Sequence, residues 1–216
     1  MSATLSSAAA FTYRSKTIFE VPAANGQFIT LFSTGKVALK RPDKLLAEFR
    51  GSAPHFDFFY DGAEVAAFAP GANVYSMKLA PDTIDAMLAG VQAETGIRFA
   101  SAPLLTSNPF RSLTRGLTSA VFVGPTRVDG VTCDHLAFRS EGINWEIWLE
   151  SNQRALPRRL AVTFTDQANF PRTMVELSHW NLRPWCLPDR NFEFHPPTGA
   201  KEIPFTSALE AAGRSR

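Results

Sequence analysis

The chain has 216 residues, 45% of them hydrophobic and 19% charged, enough for one large domain with a sizeable core and no need of a metal or disulfide staple. Its net charge of +2, from 22 basic and 20 acidic residues, excludes bulk electrostatic attraction to nucleic acid. The 18 phenylalanines are the compositional outlier and point to strands with a large apolar surface.

In chain order, Met1 to Ala10 is small and polar, with neither the basic region nor the apolar core of a signal peptide. An alternation of period two follows. Phe11, Tyr13 and Phe19 alternate with Arg14 and Lys16, Val37 and Leu39 with Lys36 and Lys40, Leu45, Ala47 and Phe49 with Glu48 and Arg50, and Phe56, Phe58 and Tyr60 with Asp57. Tyr75, Met77 and Leu79 continue the pattern. So do Leu136 and Phe138, then Trp145, Ile147 and Leu149, then Leu160, Val162 and Phe164, and finally Val175 and Leu177 around Glu176. Such alternation is written by a sheet with one buried and one wet face. Asn25-Gly26, Asp61-Gly62, Pro70-Gly71 and Asp129-Gly130 interrupt the runs and predict tight hairpin turns. Hairpin after hairpin gives an antiparallel meander, and a meander this long curls because strands twist.

Pro81 to Gly96 breaks the period. Ile84, Leu88 and Val91 stand at helical spacing, with Asp82 near the start and Gly96 past the end, which predicts a helix. A second short helix is expected around Pro109 to Gly116. The expected fold is therefore mainly β: a strongly curved antiparallel sheet, or half β-barrel, with a helical lid. One domain spans 1–216 with an ordered core over about 8–205, and the polar tail after Phe205 is loose.

Motifs of chemistry are missing. There is no Gly-x-Ser-x-Gly, His-Glu-x-x-His, phosphate loop or dinucleotide fingerprint, so no catalytic residue, cofactor or metal is assigned. His55, His135, His179 and His195 lack metal-ligand spacing. Asp134 and His135 are strand neighbours facing opposite ways, so they form no dyad. Trp145 shares parity with Ile147 and is placed inside, and Trp148 outside. Cys133 and Cys186 allow either one disulfide or two separate thiols. The basic residues are scattered, with Arg154, Arg158 and Arg159 the densest group, as on a solvated face.

Several segments go beyond pattern: Lys40-Arg41-Pro42-Asp43-Lys44-Leu45, Phe59-Tyr60-Asp61-Gly62, and Ala80-Pro81-Asp82-Thr83-Ile84-Asp85-Ala86-Met87-Leu88. Further on come Val131-Thr132-Cys133-Asp134-His135-Leu136-Ala137-Phe138-Arg139, Trp145-Glu146-Ile147-Trp148-Leu149 and Leu156-Pro157-Arg158-Arg159-Leu160. Together they resemble DUF2092, a family of predicted bacterial periplasmic proteins, from about Phe11 to Phe205. Glu146 departs from the Gln expected there. That family in turn resembles lipoprotein carriers of the LolA and LolB type, built as an incomplete barrel with a helical lid over an apolar cavity for acyl chains. The resemblance implies a periplasmic protein, its leader removed, that binds or carries a lipid, acyl chain or other hydrophobic ligand as a monomer. It also implies a membrane-associated donor or acceptor protein as partner. The same fold includes lipid-binding mycobacterial lipoproteins and an enzyme of violacein biosynthesis, so the client does not transfer.

The residues expected to line the cavity are Phe49, Phe58, Tyr60, Tyr75, Met77, Trp145, Ile147 and Val162, with Ile84 and Leu88 from the lid. A self-filled core is the competing outcome for that face. Two other functions stay open. A ligand-free envelope interaction module would expose Trp148, Trp180 or Trp185. An enzyme would need His135, Glu146, Arg139 and Tyr75 to meet inside the cavity.

Overall fold

In the computed structural model, which describes residues 1–23, 25–52, 55–96 and 99–205, eleven long strands and one short one form a single open, curled sheet. The polar tail beyond Phe205 lies outside the described residues. The strands are β1 (Ala10–Pro22), β2 (Phe28–Lys40), β3 (Lys44–Gly51), β4 (Phe56–Tyr60), β5 (Glu64–Ala69), β6 (Val74–Leu79), β7 (Leu117–Val128), β8 (Val131–Ser140), β9 (Ile143–Glu150), β10 (Pro157–Phe164), β11 (Arg172–Asn181) and β12 (Lys201–Glu202). Their spatial order is β12-β6-β5-β4-β3-β2-β1-β11-β10-β9-β8-β7. Two antiparallel meanders are thus joined side by side through β1 and β11, and β12 adds to β6 in parallel. The Asp129-Gly130 turn takes positive φ at both residues (47° and 80°), the geometry that matches the strand twist in a two-residue hairpin.

The helices stand between the two meanders in sequence and roof the concave face. Helix α2 (Ile84–Thr95) is capped by the Thr83 hydroxyl, which accepts from Ala86 N, and stops at Gly96 in the left-handed conformation (φ 69°). It is followed by a 3-10 turn (Ala102–Leu104) and α3 (Pro109–Leu113). The expected helices are thus present, one starting three residues later and the other ending three residues earlier than the sequence suggested. An unexpected helix, α1 (Ser2–Ser7), precedes them all, and its Leu5 is fully buried. The ordered core therefore begins before residue 8. Six residues with one apolar side chain between small ones carry no period by which a helix could be recognised.

One continuous apolar cluster fills the concave side, taking Phe11, Leu39, Tyr60 and Leu45 from the first meander, Trp145, Leu160 and Leu177 from the second, and Leu5, Ile84, Met87 and Leu104 from the roof. Arg41 fastens this roof. Its guanidinium donates to the carbonyls of Leu5 (3.2 Å), Leu105 (3.2 Å) and Thr106 (2.9 Å), joining the β2–β3 turn to α1 and to the loop before α3.

The C-terminal segment crosses the outer face of β4, β5 and β6. Phe192 is fully buried there, and Phe194 packs on Phe59, Phe68 and Tyr75 at ring separations of 5.2, 5.8 and 5.4 Å. Lys40 holds the start of this strap through Asp189 (2.6 Å). The two cysteines are free thiols, Cys133 buried and Cys186 exposed, so the disulfide alternative is not realised.

Candidate functional site

Where roof meets sheet, the concave face is almost full. A gap of about 30 Å³ there is lined by Tyr13, Phe49, Phe56, Phe58, Leu88 and Phe99 among others. Ring stacking closes it: Phe49 lies on Phe56 (5.2 Å) and on Phe99 (6.3 Å, planes 5° apart). Gly35 of β2 lets Phe49 do so, because a Cβ there would sit 3.0 Å from the ring. A gap of this size matches one water, against roughly 300–1,000 Å³ for a pocket that holds a drug-sized molecule. The opposing aromatic side chains interlock around it, as in a self-filled core.

Of the ten residues expected to line a cavity, eight stand on the concave side or its roof. Phe49, Phe58 and Leu88 border the gap, and Tyr60 and Ile84 are buried beside it. Trp145, Ile147 and Val162 lie on the same face of the second meander, with Trp145 stacked on Phe138 at 4.0 Å. On α2 the side chains most deeply buried are Ile84, Met87 and Val91, with Leu88 half-buried.

Tyr75 and Met77 are on the other face. Tyr75 packs against Phe194, and Met77 borders a space of about 270 Å³ beneath the strap with Phe59, Ala66 and Phe192. On β6 it is Ser76 and Lys78 that turn toward the concave side, where Lys78 lies over the Phe205 ring (4.4 Å). The alternation is as expected and its faces are reversed, because the strap buries the outer surface of this strand. Tyr13, Phe56, Met87, Val91 and Phe99 border or roof the concave gap without being among the residues expected there. Tyr13 and Phe56 carry the right alternation, whereas Phe99 is in a loop with no period.

Buried polar atoms of the concave face without a hydrogen-bond partner among the described residues include the Trp145 indole Nε1 and the Ser140 hydroxyl, whereas the Tyr13 hydroxyl has Ser101 beside it. Burial pushes Tyr13 up to about 12, opposed by Ser101 beside it. Tyr60, whose hydroxyl donates to the Pro81 carbonyl, is also pushed up to about 12, first by burial and then by Asp43, Asp82 and Asp61. An unfolded tyrosine ionises near 10. Both rings thus contribute stability that is complete below pH ~10 and lost as pH rises towards 12. The tyrosine contribution to the unfolding free energy is expected to be flat up to about pH 10 and to fall above it, while burial, which raises the Cys133 thiol, adds a loss that begins at about pH 9. Phenolate absorbance at 295 nm should show two late-titrating tyrosines. Two rings titrating near 10 in the folded protein would contradict it.

Of the four polar residues named for an enzyme, His135 and Glu146 meet, but away from the concave face. His135 Nε2 is 2.9 Å from Glu146 Oε2, whose other oxygen accepts from Arg172 (2.7 Å), and the imidazole stacks on Trp148 at 4.2 Å. This ladder is on the outer face of the second meander, as strand parity requires, and Tyr75 is on another part of the sheet. Trp148 is outside as expected, Trp180 packs on Tyr13 at 4.6 Å, and Trp185 is fully exposed. Among the described residues no group of three His, Cys, Asp or Glu is placed to hold a metal ion, and no helix is long and apolar enough to cross a membrane.

A larger space, about 420 Å³, is a groove on the outer face of β1, β2, β3 and β11, lined by Arg14, Lys16, Lys36, Arg50 and His179 with Glu48. Register brings them together: Arg14 is directly opposite Lys36 and Thr34 opposite Arg50. A bulge between Thr12 and Arg14 gives β11 an extra residue there, and His179 takes a left-handed φ of 53° within it.

Among solved structures, the chain is similar to an uncharacterised conserved protein from Thermus thermophilus, at 12% identity and a TM-score of 0.50, covering 92% of this chain and 91% of that one. It is also similar to the lipoprotein LppX of Mycobacterium tuberculosis (12% identity, TM-score 0.47, 83% and 90% covered). A further match is a LolA superfamily protein from Nitrosomonas europaea (9%, 0.40, 89% and 96%). No curated protein matches the chain in sequence. The family model described as "Predicted periplasmic protein (DUF2092)" matches residues 1–206, and the chain belongs to that family.

Proposed function

We propose that the protein binds and carries a lipid, acyl chain or other hydrophobic ligand between the concave face of its sheet and a roof that opens. The observation that carries this reading is the construction of the roof. The apolar concave face is not closed by strand pairing; it is covered by residues 84–96 and 99–113, between the two meanders, and the seam is lined by Phe49, Phe56, Phe58, Leu88 and Phe99. Magnitudes favour an exchange. Uncovering Ile84, Met87 and Val91 of α2 costs roughly 5–9 kcal/mol at about 1.5–3 kcal/mol for each side chain. One acyl chain of ordinary length, at about 0.8 kcal/mol per methylene, supplies on the order of 10 kcal/mol before ordering costs. The two terms are near balance, which is what loading and release require. The unpaired Trp145 indole would then find a partner in a ligand's polar end. The likeness to LppX is one of fold and leaves the ligand open.

Native mass spectrometry of protein purified without organic solvent tests this reading. The expected spectrum contains an adduct of lipid mass, and a fluorescent fatty acid should quench Trp145, an effect lost in Trp145→Phe. A bare chain mass together with unchanged tryptophan emission would remove the proposal.

A further inference from the structure

The hairpin of β1 and β2 reaches past its neighbours in the sheet. Residues 28–32 of β2 pair with β1 alone, since the register with β3 begins at Ser33 and Gly51. Strand β11 runs beside β1 as far as Phe19, so residues 20–22 and 28–30 stand as two strands without further neighbours, an arrangement that is marginal in water and normally polar. This end and its base carry the opposite: Phe28 (46% exposed) and Phe32 (57%) face solvent on the outer side, and Val21 (37%) and Ile29 (47%) on the other. Between Glu20 and Lys36 the sequence contains no charged residue.

This apolar end runs directly into the basic groove. Along the outer face of β2 the side chains in order are Phe28, Thr30, Phe32, Thr34 and Lys36, and beside them on β1 stand Ile18, Lys16 and Arg14. Like charges placed opposite each other, as Arg14 and Lys36 are, cost stability, a cost that Glu48 opposite Lys36 and Glu176 opposite Lys16 offset only in part. The carboxylates on this face are largely taken. Asp57 pairs with Arg50, Glu176 with Arg159 (2.6 Å), and Glu48 lies 3.8 Å from Lys36. Arg14 and Lys16 have no ion-pair partner among the described residues, and Glu20 is the one carboxylate of the hairpin end. At about 3.3 Å per residue, Lys16 lies roughly 17 Å from Val21, the depth of a headgroup layer plus the boundary of the acyl chains.

We infer that the β1–β2 hairpin and the adjoining basic groove are a docking surface for an anionic lipid bilayer, with Phe28 and Phe32 entering the interface and Arg14, Lys16, Lys36 and Arg50 meeting the phosphate headgroups. Apolar aromatic side chains beside Lys and Arg suit that interface, where each partner meets its own layer. The surface is on the outer face of the sheet and does not depend on what the concave side holds.

The test is co-sedimentation of the whole chain with vesicles. The parent should sediment with vesicles of phosphatidylglycerol and phosphatidylcholine at low salt, and weakly with phosphatidylcholine alone. A basic side chain near an anionic surface is worth roughly fivefold in partitioning, so Lys16→Glu with Lys36→Glu should lower it on the order of 100-fold. Phe28→Ser with Phe32→Ser should lower it at least tenfold while leaving the unfolding midpoint unchanged, because both rings are exposed already. Equal sedimentation with neutral vesicles, or unchanged binding in the charge variant, would overturn the inference. Either result is read separately from lipid carriage, which native mass spectrometry measures in the absence of vesicles.

Discussion

Replacing Phe11 by Ala should destabilise the protein by about 3–5 kcal/mol. Phe11 is fully buried on β1, the strand through which the two meanders join, with β2 on one side and β11 on the other. Its ring meets Tyr13 (6.4 Å) and Trp180 (5.8 Å), and the Arg41 guanidinium stands over it at 5.9 Å. Removing the ring leaves a cavity bordered by Trp180 and Arg41, which other contacts hold in place. Trp180 donates its indole N–H to the Pro157 carbonyl (2.9 Å), and Arg41 is fixed by three carbonyls, so neither is free to collapse into the space. Denaturant unfolding followed by tryptophan emission gives the value. A loss below about 1 kcal/mol would show that the meanders are joined by backbone pairing more than by this cluster.

The parts of this fold legible in the sequence are those where one face is apolar and the other polar. On β9, Trp145 and Ile147 alternate with Glu146 and Trp148, and the structure puts the first pair inside and the second outside. The β6 residues depart from expectation for a physical reason. Tyr75 and Met77 alternate as cleanly with Ser76 and Lys78, but they face a strap that arrives from residues 189–205, and period two cannot say which covering an apolar face will receive. On α2, helical spacing points to Ile84 and Val91, while the choice between Met87 and Leu88 depends on a rotation of about 100° between successive residues. The basic groove was illegible because it is a product of register. Arg14, Lys36 and Arg50 are each an ordinary polar member of a separate alternation, and they become neighbours only through strand pairing. His179 joins them through a bulge, which leaves no pattern in a sequence.

If the roof is the gate, Arg41 is its latch, and Arg41→Met should loosen the roof while leaving the sheet intact. Burial disfavours the Arg41 charge, Asp85 opposes that effect, and the guanidinium's three carbonyl acceptors all belong to roof elements: Leu5 of α1, and Leu105 and Thr106 before α3. Methionine keeps the apolar stem over Phe11 and removes the donors. Hydrogen bonds from a charged donor contribute about 1.5–3 kcal/mol each, but the released carbonyls regain water and the buried charge is gone, so a net loss of about 2–4 kcal/mol is expected. Remaining anchors such as Ile84 N to the Pro42 carbonyl (3.0 Å) and Ser107 to Asp85 (2.8 Å) keep the roof attached. Because about 1.4 kcal/mol is a factor of ten, amide exchange in residues 2–7 and 84–113 should quicken roughly 30- to 1,000-fold, with β1 and β11 protected as before. A protein whose binding-competent state is rare gains apparent affinity as that state is populated. Fatty-acid binding should therefore tighten at least tenfold in the same variant. Faster exchange spread evenly over the sheet, or an affinity equal to the parent's, would show that Arg41 supports the fold without controlling access to its concave face.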